Sequence, residues 1–173
     1  MNLHFDLNLT KSYHSNSQRA RVLTENWIKE NLFCPICGAN KLSQFKNNSP
    51  VADFYCENCN EQYELKSKEN KRGNIGREIV DGAYSTMIER INSQHNPNFL
   101  FLTYSNNSVN NLIIIPNHFF TPDIIEKRKP LNDNARRAGW VGCNINIETI
   151  PNSGKIYRVN QGVEIYKDDV ISN

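Results

Sequence analysis

Two cysteine pairs, Cys34-Pro-Ile-Cys37 and Cys56-Glu-Asn-Cys59, are separated by eighteen residues, with Asp53 just before the second pair and Glu64 and Lys66 just after it. C-x2-C followed by C-x2-C is the spacing of a tetrahedral zinc site, because each two-residue knuckle turns both of its sulfurs toward one ion. Four thiolates close the coordination sphere of Zn2+ and leave no position for a reacting water, so this zinc would be structural. Disulfides are the alternative use of four thiols. They belong to oxidising compartments, and the N-terminus carries no signal-peptide pattern. Catalysis would therefore fall to Asp53, Glu64 and Lys66. Carboxylates are the hard oxygen ligands that Mg2+ takes, and a lysine beside them offsets negative charge gathering on a phosphate, which together suits phosphodiester hydrolysis. The bland alternative is a solvated hairpin with ordinary surface charge, since a pattern as short as P-x-x-D, ten residues, E-x-K also arises by chance.

Those side chains can meet only if neighbouring elements carry them. Residues 51–55 and 61–66 read as short strands, so Cys56 to Cys59 with Asn60 becomes the turn of a metal-pinned hairpin. Alternation along a strand puts Glu64 and Lys66 on one face and Tyr63 and Leu65 on the other, with Asp53 able to share the Glu64 face. Upstream, Leu3, Phe5, Leu7 and Leu9 alternate with polar residues, as in a strand or extended arm. Ser15 or Ser17 then caps a helix to about Lys29, with Ala20, Leu23 and Trp27 on its apolar side and Glu25 on a solvated face. Downstream, residues 81–93 read as a helix packing Ala83, Tyr84, Met87, Ile88 and Ile91. The apolar runs 98–104 and 111–115 read as buried central strands. Cys143 reads as a small buried hydrophobe, and residues 145–171 as a closing hairpin around Asn160-Gln-Gly162. The sum is an α/β fold, a mixed sheet flanked by helices with an inserted four-cysteine zinc hairpin.

The 173 residues, 38% hydrophobic and without an apolar run of membrane length, predict one soluble, cytoplasmic domain with no membrane partner. The formal net charge of +2 falls to zero once four thiolates hold one Zn2+, so any affinity for nucleic acid must come from local patches. Two segments qualify. Lys68, Lys71, Arg72 and Arg77, with the glycines among them, follow the Glu64–Lys66 strand and could track phosphates or form a plain surface loop. Arg136, Arg137 and Trp140 could grip phosphates and set a flat ring against bases, or be a solvated loop and a core residue.

Longer stretches carry more information. The helix Ser15-Asn-Ser-Gln-Arg-Ala-Arg-Val-Leu-Thr-Glu25, the block Asn48-Ser-Pro-Val-Ala-Asp-Phe-Tyr-Cys56, the run Tyr63-Glu-Leu-Lys-Ser-Lys68 and the segment Ala135-Arg-Arg-Ala-Gly-Trp-Val-Gly-Cys-Asn144 resemble, in that order, the catalytic domain of the DpnI-type restriction endonucleases of the PD-(D/E)xK superfamily. The resemblance extends from Leu3 to about Val163. It implies a single nuclease domain over residues 1–173 with a zinc ribbon, 34–59, embedded in it. It implies that Asp53, Glu64 and Lys66 are catalytic, that Asp53, Glu64 and the Leu65 carbonyl hold Mg2+, and that the four cysteines hold Zn2+. The implied activity is that of a type II restriction endonuclease, hydrolysing double-stranded DNA that carries N6-methyladenine in GATC. It also favours DNA contact for Arg136, Arg137 and Trp140, with Lys68 and Arg72. Enzymes of this type are understood to carry a winged-helix domain after the nuclease domain; this sequence ends at Asn173, so the expectation is the catalytic domain without it, either excised from a longer chain or as a single-domain relative. Two other classes compete. A non-catalytic zinc-ribbon module that binds nucleic acid would lack a second, oxygen-ligand metal site. An HNH-type nuclease needs histidines beside the metal hairpin, and His4, His14, His95 and His118 all lie outside the cysteine pairs.

Overall fold

The continuous apolar runs form the middle of the molecule, which a computed structural model describes over residues 1–46 and 52–171. Among these residues the elements run α1 (Asn16–Asn31), β1 (Ser43–Gln44), β2 (Phe54–Tyr55), β3 (Gln62–Glu69), β4 (Glu78–Ala83), α2 (Tyr84–Ile91), β5 (Asn98–Ser105), β6 (Ser108–Ile115), β7 (Ile125–Lys127), β8 (Gly142–Asn146), β9 (Ile156–Asn160), β10 (Val163–Glu164) and α3 (Lys167–Ile171). The larger sheet has seven strands in the order β1-β2-β3-β5-β6-β9-β10, and the smaller has three, β4-β8-β7. Only β3 and β5 are parallel, with Glu64 opposite Phe99 and Lys66 opposite Phe101. A parallel pair needs a crossover, and β4 with α2 supplies it. The fold is thus α/β, a mixed sheet flanked by helices.

The two faces of the central strands bury different cores. Leu100, Leu102, Leu112 and Ile114 join Tyr63, Phe54 and the α1 residues Leu23, Trp27 and Ile28 on one side. On the other, Phe99, Phe101, Ile113 and Ile115 meet Met87 of α2, Ile79 and Ile145 of the smaller sheet, and Phe120. Phe120 stacks on Phe99 with ring centroids 3.7 Å apart. A strand buried on both faces must be apolar at every position, which is why β5 and β6 read as unbroken hydrophobic runs.

Three local expectations are corrected. The N-terminal segment is not a strand: a single bridge joins His4 to Ser108, and residues Leu7–Thr10 form a 3-10 turn whose first N–H groups are capped by Asp6. Leu7 and Leu9 face solvent in consequence. Asp81 lies in a strand rather than opening a helix, because residues 78–81 pair with β8 and the helix starts at Tyr84, whose N–H donates to the Val141 carbonyl at 3.0 Å. The strand expected over residues 51–55 is limited to Phe54–Tyr55, with Val51 outside the described residues, and its partner reaches Glu69. The closing hairpin turns where expected, at Gln161 and Gly162, both in the left-handed region (φ 48° and 77°).

Candidate active site

The two cysteine knuckles repeat one geometry. Gly38 N–H donates to the Cys34 carbonyl at 2.8 Å and Asn60 N–H to that of Cys56 at 2.9 Å, while Cys34 N–H reaches the Ala39 carbonyl at 2.7 Å and Cys56 N–H that of Glu61 at 2.9 Å. Gly38 and Asn60, each following the second cysteine of its pair, have φ of 74° and 61°, a conformation that glycine and asparagine adopt most readily. The four Sγ atoms lie within 4.8 Å of one another, with Cys34–Cys59 and Cys37–Cys56 both 3.6 Å. A zinc tetrahedron with Zn–S of about 2.3 Å has edges of about 3.8 Å, whereas a disulfide would need about 2.05 Å. The set therefore fits an ion and not two cross-links. Hydrogen bonds from the Asn58 side chain and the Ala39 N–H pull the Cys37 thiol down to about 6, which favours the ligating thiolate. The Tyr63 hydroxyl stands 3.2 Å from Cys34 Sγ, so the residue preceding Glu64 is anchored on the cluster.

From that anchor β3 carries Glu64 and Lys66. Tyr63 and Leu65 point into the α1 core, and Glu64 and Lys66 point to the opposite face, beside Phe99 and Phe101. Glu64 is buried, at 8% exposure. Its Oε1 lies 2.5 Å from Lys66 Nζ, and its Oε2 is ion-paired with Arg90. Lys66 Nζ also lies 2.8 Å from Asp81 Oδ1. Burial works against the Lys66 ammonium, but Glu64 and Asp81 outweigh it and raise its pKa above 10.5, so the side chain is a cation at neutral pH. Asp53 stands where β2 has ended and the edge of β3 is open. Its Oδ2 accepts the Leu65 N–H at 2.7 Å. N–H and C=O of one strand residue point the same way, so the Leu65 carbonyl is directed toward this same edge. Pro50, which opens the P-x-x-D pattern, lies outside the described residues.

Glu25 is not on a solvated face. Gln44 donates to it at 2.8 Å, Arg21 lies 3.7 Å away, and its side chain is 15% exposed. Burial raises its carboxyl above the ordinary 4.5 against the pull of Arg21, and the charge of Asp53 pushes the same way. The chain thus gathers a third carboxylate near Asp53.

The residues expected to touch DNA are elsewhere. Lys68 continues the Glu64–Lys66 alternation to the exposed end of β3, and Arg72 is exposed in a turn pinned by Asn70 and by Asn111, whose Nδ2 donates to the Gly73 carbonyl at 2.8 Å. Residues 128–142 prolong the β7–β8 hairpin through bonds such as Leu131 N–H to the Trp140 carbonyl at 2.9 Å. There Arg136 and Arg137 are exposed and Trp140 is half-buried, with the Arg137 guanidinium 4.4 Å from its ring centre. The ring lies on Gly142, where a Cβ would approach it to 2.9 Å. Two residues of the charge cluster, Asp81 and Arg90, are not among the site residues read from the sequence, where Asp81 stands only as the start of a helix. Arg90 follows Met87 by one helical turn, a charge on an otherwise apolar stripe, and that was the available signal.

With this geometry in place, the match to a known family can be read: the family described as DpnI, Dam-replacing, matches residues 1–173, the whole chain. The four-cysteine cluster and the α/β sheet are those expected from the resemblance of the sequence, and the match covers both. The chain belongs to the Dam-replacing family, DpnI, and is of restriction-nuclease type.

Proposed function

We propose that the chain is a Mg2+-dependent, type II endonuclease that hydrolyses double-stranded DNA at GATC sites carrying N6-methyladenine, in the manner of a PD-(D/E)xK nuclease, with Asp53, Glu64 and Lys66 as catalytic residues. The observation that carries this reading is the meeting on β3 of a buried carboxylate, a charged lysine and an aspartate fixed on the adjacent backbone N–H. The oxygen donors suit a hard cation: Asp53, Glu64 and the Leu65 carbonyl would hold Mg2+, which when bound supplies Lewis acidity at a phosphate oxygen. Lys66 orients the attacking water and offsets charge on the scissile phosphate. Asp53 is held in place by Leu65 N–H, so its other oxygen is presented without rearrangement. The products would carry 3′-hydroxyl and 5′-phosphate ends. The Zn2+ of the four cysteines has a structural role, fixing the turn that leads into β3. Arg136, Arg137 and Trp140, with Lys68 and Arg72, are proposed to grip the duplex, Trp140 reaching the bases near the methyl groups.

The zinc-loaded chain incubated with adenine-methylated and unmethylated plasmid, with and without Mg2+, tests the specificity. Cleavage of methylated plasmid alone, and only with Mg2+, is the expected result. Cleavage indifferent to methylation would remove the methyl-selective part, and binding without cleavage under every condition would leave a zinc-ribbon module.

A further inference from the structure

We infer that Arg90 is the resident counter-ion of the Glu64 carboxylate, occupying it until a divalent cation displaces it, and that Asp81 opposes this competition by drawing Lys66 away from Glu64. The inference rests on the reading of Glu64 as a metal ligand. Both oxygens of this buried side chain are engaged by cations, Oε1 by Lys66 at 2.5 Å and Oε2 by Arg90. Lys66 is shared with Asp81 at 2.8 Å, so two acids and two bases from β3, β4 and α2 form one neutral quartet. A carboxylate already neutralised from both sides offers little net attraction to a third cation. Mg2+ or Mn2+ must therefore expel or crowd one of the residents, at low local dielectric where that repulsion counts most. Lys66 is covalently fixed two residues from Glu64 on the same strand face. Arg90 belongs to a separate helix and has the longer path to withdraw, which makes it the cation to yield.

The two neighbours then act with opposite sign. Removing the Arg90 charge removes a competitor and should tighten divalent-ion binding. Removing the Asp81 charge leaves Lys66 to Glu64 alone and should weaken it. A merely structural role for both residues would loosen the site in both variants and move affinity one way.

The test is Mn2+ titration of the zinc-loaded chain without DNA, followed by electron paramagnetic resonance, for wild type and for Arg90→Gln, Arg90→Lys, Asp81→Asn and Glu64→Gln. Arg90→Gln should bind on the order of tenfold more tightly than wild type, Asp81→Asn on the order of tenfold more weakly, and Arg90→Lys within about twofold, while Glu64→Gln abolishes the site. Unchanged or weaker binding by Arg90→Gln overturns the counter-ion role and leaves Glu64 as a ligand. A Glu64-dependent site missing from wild type and Arg90→Gln alike overturns the metal reading and this inference with it. Should Arg90→Gln fail to fold, wild type itself decides. The Arg90 Nε–Hε resonance, identified by its loss in Arg90→Lys, should shift on Mg2+ addition with the midpoint of ion binding. A resonance that stays still while the ion binds contradicts the proposal.

Discussion

Glu25 shows how a single side chain reports on the electrostatics of the site. It is a carboxylate on α1 within reach of the Asp53 charge, its side chain 15% exposed, and burial first and Asp53 after it favour its neutral form. The folded chain thus holds this proton more tightly than the unfolded one. The cost of ionised Glu25 is absent below about pH 4.5, grows as the pH rises above it and levels off once the pH exceeds the raised value. In zinc-loaded protein without added Mg2+, Glu25→Gln should raise the melting temperature by a few degrees at pH 7.5 and leave it unchanged at pH 4. A fall at pH 7.5 in a thermal scan would mean that Gln44 and Arg21 more than compensate the charge. Added Mg2+ should shrink the difference, because a cation near Asp53 relieves the same repulsion.

At the scale of elements, the four-cysteine cluster sets where β3 begins. The Tyr63 hydroxyl rests on Cys34 Sγ, and Asp53 N–H donates to the Tyr63 carbonyl at 3.1 Å, so the cysteine cluster, the strand and the aspartate form one chain of contacts. Cys56→Ser should lose most of the bound zinc by metal analysis, lower the melting temperature by several degrees and abolish cleavage although no proposed catalytic residue is altered. Wild-type cleavage by a zinc-free variant would detach the cluster from the site. The knuckles were legible in the sequence because their ligands are local and their spacing is dictated by the ion. The central strands were legible because burial on both faces leaves no room for polar residues. The β4 strand was not: Ala83, Tyr84, Met87, Ile88 and Ile91 share a helical period that ran the reading back through Asp81, and only pairing with β8, far away in sequence, makes 78–83 extended. Asp81 and Arg90 were hidden for the same reason. Their partners on β3 are brought to them by tertiary packing, which a pattern confined to one hairpin does not contain.

The described residues form two sheets packed across a shared apolar layer, with charged groups of the candidate site contributed from both sides of it. The larger sheet brings Glu64 and Lys66, and the smaller sheet with α2 brings Asp81 and Arg90 to the same face, so the charge quartet bridges the two layers beside the Phe99–Phe120 stack. The smaller sheet also extends into the arm that carries Arg136, Arg137 and Trp140. One body therefore supports both the groups proposed to react and the residues proposed to hold the duplex. Among the described residues no helix is long and apolar enough to cross a membrane. The central claim, that the β3 carboxylates and lysine work on a phosphodiester, is tested most directly by single-turnover cleavage of a methylated GATC duplex in Mg2+ by wild type and Asp53→Asn, both zinc-loaded. Wild type should yield 3′-hydroxyl and 5′-phosphate ends, and the variant should lose at least about a thousandfold in rate, several kcal/mol of barrier. Cleavage by Asp53→Asn at the wild-type rate would contradict that claim.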